Sequence, residues 1–67
     1  MVEIELNGSP YLVAPGVSLH DLAGQLGLGG QAVAVAVNRE VVPRPQWPQR
    51  NLQARDRVDI VRAIGGG

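Results

Sequence analysis

The chain has no cysteine, no phenylalanine and no lysine, and only one histidine, one tryptophan and one tyrosine. Without cysteine there can be no disulfide, no thiolate metal site and no cysteine nucleophile. If the protein handles sulfur, the sulfur is not on a side chain. Without phenylalanine the core must be built from Val, Leu, Ile and Ala. At 67 residues the chain makes one domain, and a domain of this size buries only about 60% of the surface its unfolded form exposes. Such a thin core leaves little room for a deep pocket. The six basic residues are all arginine, which stays charged and grips carboxylate or phosphate with two parallel hydrogen bonds; a compositional bias toward arginine accounts for the same fact. Six acidic residues balance them, giving a formal net charge of zero, which argues against nucleic acid or an anionic membrane as the main partner. The longest apolar run, 32–37, falls far short of the ~20 residues a membrane span needs. No basic segment followed by an apolar run opens the chain, so no signal peptide is visible. A soluble, cytoplasmic protein is expected. With one histidine and no clustered carboxylates, an enzyme is not.

What is present is a regular alternation of short elements. Val2, Ile4 and Leu6 alternate with Glu3, Glu5 and Asn7, the period of a half-buried strand. Asn7-Gly8 is a hairpin signal, because a type I′ turn needs positive φ at both central residues. The return strand, 9–14, carries Pro10, which cannot donate to a ladder, so an edge position is expected. Pro15-Gly16 ends it. Ser18-Leu19-His20-Asp21 reads as a capping box, and Leu19, Leu22, Ala23 and Leu26 form one apolar stripe of a helix that Gly27 stops. His20 and Asp21 fall off that stripe and read as solvent-facing first-turn residues, not as a catalytic pair. The two glycines of Gly29-Gly30 match no phosphate-cradling motif.

In 32–37 the valines point one way and the alanines the other. Asn38-Arg39 makes a turn, and 40–42 pairs as a short strand. The proline-rich 43–50 suits a 3₁₀ turn, with Trp47 expected to plug a satellite core. The final strand, 58–64, places Val58, Ile60 and Ile64 on one face, and Val61 and Ala63 on the other. Strand, strand, helix, strand, strand, loop, strand is the order of an α+β, β-grasp fold: a mixed sheet of about five strands around one main helix. Its first and last strands should lie side by side and parallel at the sheet centre. A ferredoxin-like fold would need a second full helix, and none is visible. A single helix covers one face of such a sheet. The other would show Ala34, Ala36, Val61 and Ala63, a flat apolar face of the kind that marks a partner site, unless loop residues such as Trp47 fold over it.

The last strand runs into Gly65-Gly66-Gly67. Residues without a Cβ add nothing to a core and lose the most entropy on ordering. An extended chain advances about 3.3–3.6 Å per residue, so residues 63–67 would form a flexible tail that carries a carboxylate outward, and its side-chain-free glycines would fit a tunnel admitting only backbone. The Gly67 carboxylate is the candidate reactive group, and a frayed terminus or an added scar is the plain alternative.

The helix entry Pro15-Gly16-Val17-Ser18-Leu19-His20-Asp21-Leu22, the strand Ala34-Val35-Ala36-Val37-Asn38, the segment Glu40-Val41-Val42-Pro43-Arg44 with Trp47 downstream, and the closing Asp59-Ile60-Val61-Arg62-Ala63-Ile64-Gly65-Gly66-Gly67 together resemble the small bacterial sulfur carriers of thiamine thiazole biosynthesis, the ThiS family, within the wider ThiS/MoaD-like ubiquitin-like group. V-N-x-x-V-V-P-R-x-x-W, from Val37 to Trp47, is the most specific part; a terminal di-glycine is common to all ubiquitin-like carriers. The turn before the last strand, usually glycine-containing in the family, reads Ala54-Arg55-Asp56, and the tail has a third glycine.

The resemblance implies a carrier with no catalysis and no cofactor of its own. A ThiF-like adenylating enzyme of the ubiquitin-activating kind would use ATP to activate Gly67. A persulfide from a sulfur-donor enzyme would displace AMP to leave a thiocarboxylate, and a ThiG-like thiazole synthase would accept the sulfur. Gly65, Gly66 and Gly67 would enter the partner's active site. Ala34, Ala36, Val61, Arg62, Ala63 and Ile64 would form the docking face, with Arg62 or Arg44 at its rim. The other readings are a carrier for molybdopterin or tRNA thiolation, and a plain interaction domain with an inert tail.

Overall fold

The structure is a computed structural model that describes residues 1–62; Ala63, Ile64, Gly65, Gly66 and Gly67 lie outside the described residues. Strands β1 (Val2–Leu6) and β2 (Ser9–Val13) form an antiparallel hairpin. Asn7 and Gly8 both have positive φ, 49° and 84°, as the type I′ turn requires. Helix α1 (Leu19–Gln25) follows, then β3 (Val33–Val37), β4 (Glu40–Val41), a 3₁₀ helix (Arg44–Gln49) and β5 (Arg57–Arg62). The sheet order is β2-β1-β5-β3-β4. β5 is central, parallel to β1 and antiparallel to β3, and Pro10 lies on an edge strand as its missing N–H demands.

The helix ends are built as the sequence suggests. Ser18 Oγ accepts from the Asp21 N–H at 3.1 Å, and Asp21 Oδ2 accepts from the Ser18 N–H at 3.2 Å, so each backbone donor at the helix start is satisfied by the other residue's side chain. At the other end Gly27 takes φ 74°. The Leu28 N–H reaches Ala23 O and the Gly27 N–H reaches Gly24 O, the pair of bonds of a Schellman stop. The helix therefore closes one residue before its expected end, with Leu26 as the cap.

Leu19, Leu22 and Ala23 of α1 pack on Ile4, Val13, Val35, Val37 and Val58 of the sheet. Trp47 differs from expectation. It is 2% exposed and belongs to the main core rather than a satellite. Its indole N–H donates to Val42 O at 2.8 Å, which satisfies the one polar atom that burial would otherwise strand. The 3₁₀ helix that carries it packs against α1, on the helix side of the sheet, so Trp47 does not cover the opposite face.

Candidate functional site

The site is organised by β5, the strand that leads into the glycines. Two turn asparagines hold it from either side. On the β1 side the Asn7 N–H donates to Val58 O, and Asn7 Oδ1 accepts from the Ile60 N–H at 2.7 Å. On the β3 side the Asn38 N–H donates to Arg57 O at 2.8 Å, and Asn38 Oδ1 accepts from the Arg57 N–H at 3.0 Å. Asn38 also donates through Nδ2 to Asp56 Oδ1 at 3.1 Å. Asp56 is buried, its other oxygen accepts from the Gln53 N–H at 2.8 Å, and Arg50 lies 3.8 Å away. The turn before β5 is thus pinned to the β3–β4 turn through one carboxylate. Asn38, at φ 53°, occupies the left-handed region that asparagine tolerates better than most residues.

The face of the sheet away from α1 divides into two halves. Glu5 and Asp59 flank Arg57 at 3.5 and 3.3 Å on the β1 side. On the β3 side, register places Ala34 opposite Val61 and Ala36 opposite Val41. Val61 and Val41 are 65% and 67% exposed. The described part of the face is therefore Ala34, Ala36, Val41 and Val61, with Ala36 half-buried. Val41 extends the expected set: it faces outward because β4 pairs through only Glu40 and Val41, leaving Val42 to turn into the core. Nothing in the apolar pair Val41-Val42 says which residue points which way until the register is known. Arg62 is exposed at the rim and lines a shallow groove with Ala32, Val33, Ala34, Val61 and Arg44.

Arg44 is otherwise engaged. Its guanidinium donates to Gly29 O at 2.9 Å and to Gln31 O, and it lies 4.5 Å over the Trp47 ring. At this edge of the groove it ties the α1–β3 loop to the 3₁₀ helix. Asp21 serves the helix cap and His20 is exposed. Among the described residues no group of three or more His, Cys, Asp or Glu could hold a metal ion, and no helix is long and apolar enough to cross a membrane. The remaining expected site residues, Ala63, Ile64, Gly65, Gly66 and Gly67, lie outside the described residues.

Residues 4–67 match the model of the ThiS family. The chain belongs to the ThiS family. It is 33% identical to the sulfur carrier protein ThiS of Escherichia coli over 66 residues, 98% of this chain and all of that one. In structure it matches a thiamine biosynthesis protein (ThiS) from Geobacter metallireducens with a TM-score of 0.85 and 26% identity, covering 98% of this chain and 100% of that one. A thiazole synthase of Magnetococcus marinus is 38% identical over 66 residues, which are 98% of this ThiS-family chain but only 20% of the synthase. The V-N-x-x-V-V-P-R-x-x-W segment of this ThiS-family chain has a structural account. Val37 and Val42 are core, Asn38 clips β5, Pro43 caps the 3₁₀ helix, and Arg44 stacks on the Trp47 that fills the space under it.

Proposed function

We propose that the chain is a non-catalytic sulfur carrier of thiamine biosynthesis and that the Gly67 carboxylate is its cargo site. The observation that carries this reading is the match to the Escherichia coli sulfur carrier over that protein's full length, with the family match running through Gly67. The likeness to thiazole synthases favours the thiamine customer over molybdopterin or tRNA thiolation.

A carboxylate is a poor electrophile, so the chemistry needs activation. An adenylating enzyme would join the Gly67 carboxylate oxygen to the α-phosphate of ATP as pyrophosphate leaves. The terminal sulfur of a donor persulfide would then attack the acyl carbon and displace AMP. A thiol attacking the donor-side sulfur of the resulting acyl disulfide would release the thiocarboxylate and leave a disulfide behind. The acyl-adenylate survives only where water is excluded, and a tail without side chains lets a narrow site close around it. Ala34, Ala36, Val41 and Val61 form the docking face for the enzymes that act on the tail, with Arg62 at its rim; the two further expected contacts, Ala63 and Ile64, lie outside the described residues. The work is cytoplasmic, where ATP and persulfide donors are at hand.

The test is a reconstituted thiazole-forming reaction with carrier variants. Deleting Gly67 abolishes product, and Gly66→Trp blocks adenylation while the far-ultraviolet circular dichroism is unchanged. Product formation at the normal rate by either variant contradicts the reading.

A further inference from the structure

β5 outruns its neighbour. Its pairing with β1 ends at Leu6 opposite Val58, whereas its pairing with β3 continues to Arg62 opposite Val33. In a strand the N–H and C=O of one residue share a side, and successive residues alternate sides. Val58 O accepts from the Asn7 N–H, and the Ile60 N–H donates to Asn7 Oδ1, so residues 58, 60 and 62 face β1. Beyond Asn7 the chain turns away into β2. Ile60 C=O and Arg62 N–H are therefore left without a ladder partner among the described residues. This open edge borders a groove lined by Leu6, Asn7, Leu26, Leu28, Ile60 and Arg62. Leu6, Leu26 and Ile60 are only half-buried.

A backbone donor and acceptor beside an apolar floor suit one kind of occupant, an extended peptide that adds to the sheet and lays alternate side chains on the floor. Arg62, which lines this groove and is exposed, adds a preference for a carboxylate in that peptide. We infer that this groove receives an extended, acid-containing segment of the thiazole synthase, which pairs with residues 60–62 in the place where β1 stops. The choice of occupant rests on the sulfur-carrier reading above and on the synthases that contain a segment like this chain within their own length. The groove lies on the opposite flank of β5 from Ala34, so the added strand and the outer face grip the same strand from two sides.

The test is amide exchange and methyl chemical shifts of labelled carrier, alone and with unlabelled thiazole synthase. In the free protein Arg62 N–H exchanges much faster than the paired amide of Val61. Adding the synthase slows Arg62 N–H at least tenfold and shifts the methyls of Leu6, Leu26 and Ile60. Binding with changes confined to Ala34, Ala36, Val41 and Val61 overturns the groove and leaves the carrier reading intact. Slow exchange of Arg62 N–H in the free protein overturns it too. A synthase that does not bind at all, beside a carrier that still takes up sulfur, overturns both the groove and the thiamine role.

Discussion

Asn38 shows how much of the site depends on single side chains. Its amide bonds Asp56, its carbonyl oxygen bonds the Arg57 N–H, and its backbone takes a conformation that most residues resist. Asn38→Ala removes both side-chain bonds and leaves one oxygen of a buried carboxylate less satisfied. The expected loss is about 1–3 kcal/mol, a fall in Tm of several degrees for a domain this small, followed through the emission of Trp47, the only tryptophan. A change within about 0.5 kcal/mol, the usual range for an uninvolved surface site, would remove Asn38 from this account. Arg55 makes the reverse case. It sits at φ 70°, in the turn that the resemblance leads one to expect to contain glycine. A non-glycine residue there costs about 1–2 kcal/mol, and glycine returns part of that as unfolded-chain entropy. Arg55→Gly should therefore leave stability unchanged or raise it by up to about 1 kcal/mol in denaturant unfolding, and a clear loss would mean that the arginine side chain holds the turn. The turn at Asn38 was legible from Asn-Arg between two apolar runs. Its role was not, because its partners are 18 and 19 residues away and local pattern carries no such information.

At the scale of elements, the parts with local chemical signatures were legible: the Asn7-Gly8 hairpin, the Ser18–Asp21 capping box, the Gly27 stop and the edge position that Pro10 forces. The discrepancies fall where packing decides. Trp47 could be placed on a 3₁₀ turn by its prolines, but only the docking of that turn on α1 puts it in the main core. β4 shrinks to Glu40–Val41: the Val42 N–H still reaches Val35 O in register with β3, but its C=O accepts from the Trp47 indole N–H. The cap itself is testable. Ser18 is buried and accepts from Asp21, so Ser18→Ala should cost about 0.5–2 kcal/mol. In a double-mutant cycle with Asp21→Ala the two losses should be less than additive, because each bond helps to hold the backbone that makes the other; strict additivity would mean that the two bonds act independently.

For the whole molecule, the fold makes β5 the shared axis of everything proposed. It is central in the sheet, clipped by two asparagines near its start, and bordered near its end by an apolar face on one side and an open-edged groove on the other. The alternation of Ala and Val in β3 made the outer face legible in advance, whereas the groove follows from where β1 stops, which no pattern within β5 reveals. A charge on the outer face should separate docking from folding. Val61→Glu, at a position 65% exposed, should leave Tm within about 2–4 °C, since exposed substitutions typically change stability by less than about 0.5 kcal/mol. It should slow sulfur loading by the adenylating enzyme at least tenfold, and a normal loading rate would show that the face is not used. The most direct test of the central claim is the intact mass of the carrier after incubation with its adenylating enzyme, ATP and a sulfide source, followed by fragmentation. The account predicts that one oxygen is replaced by one sulfur and that the change maps to Gly67. An unchanged mass, with the enzyme active on another carrier, or a sulfur mapped to any other residue, would contradict it.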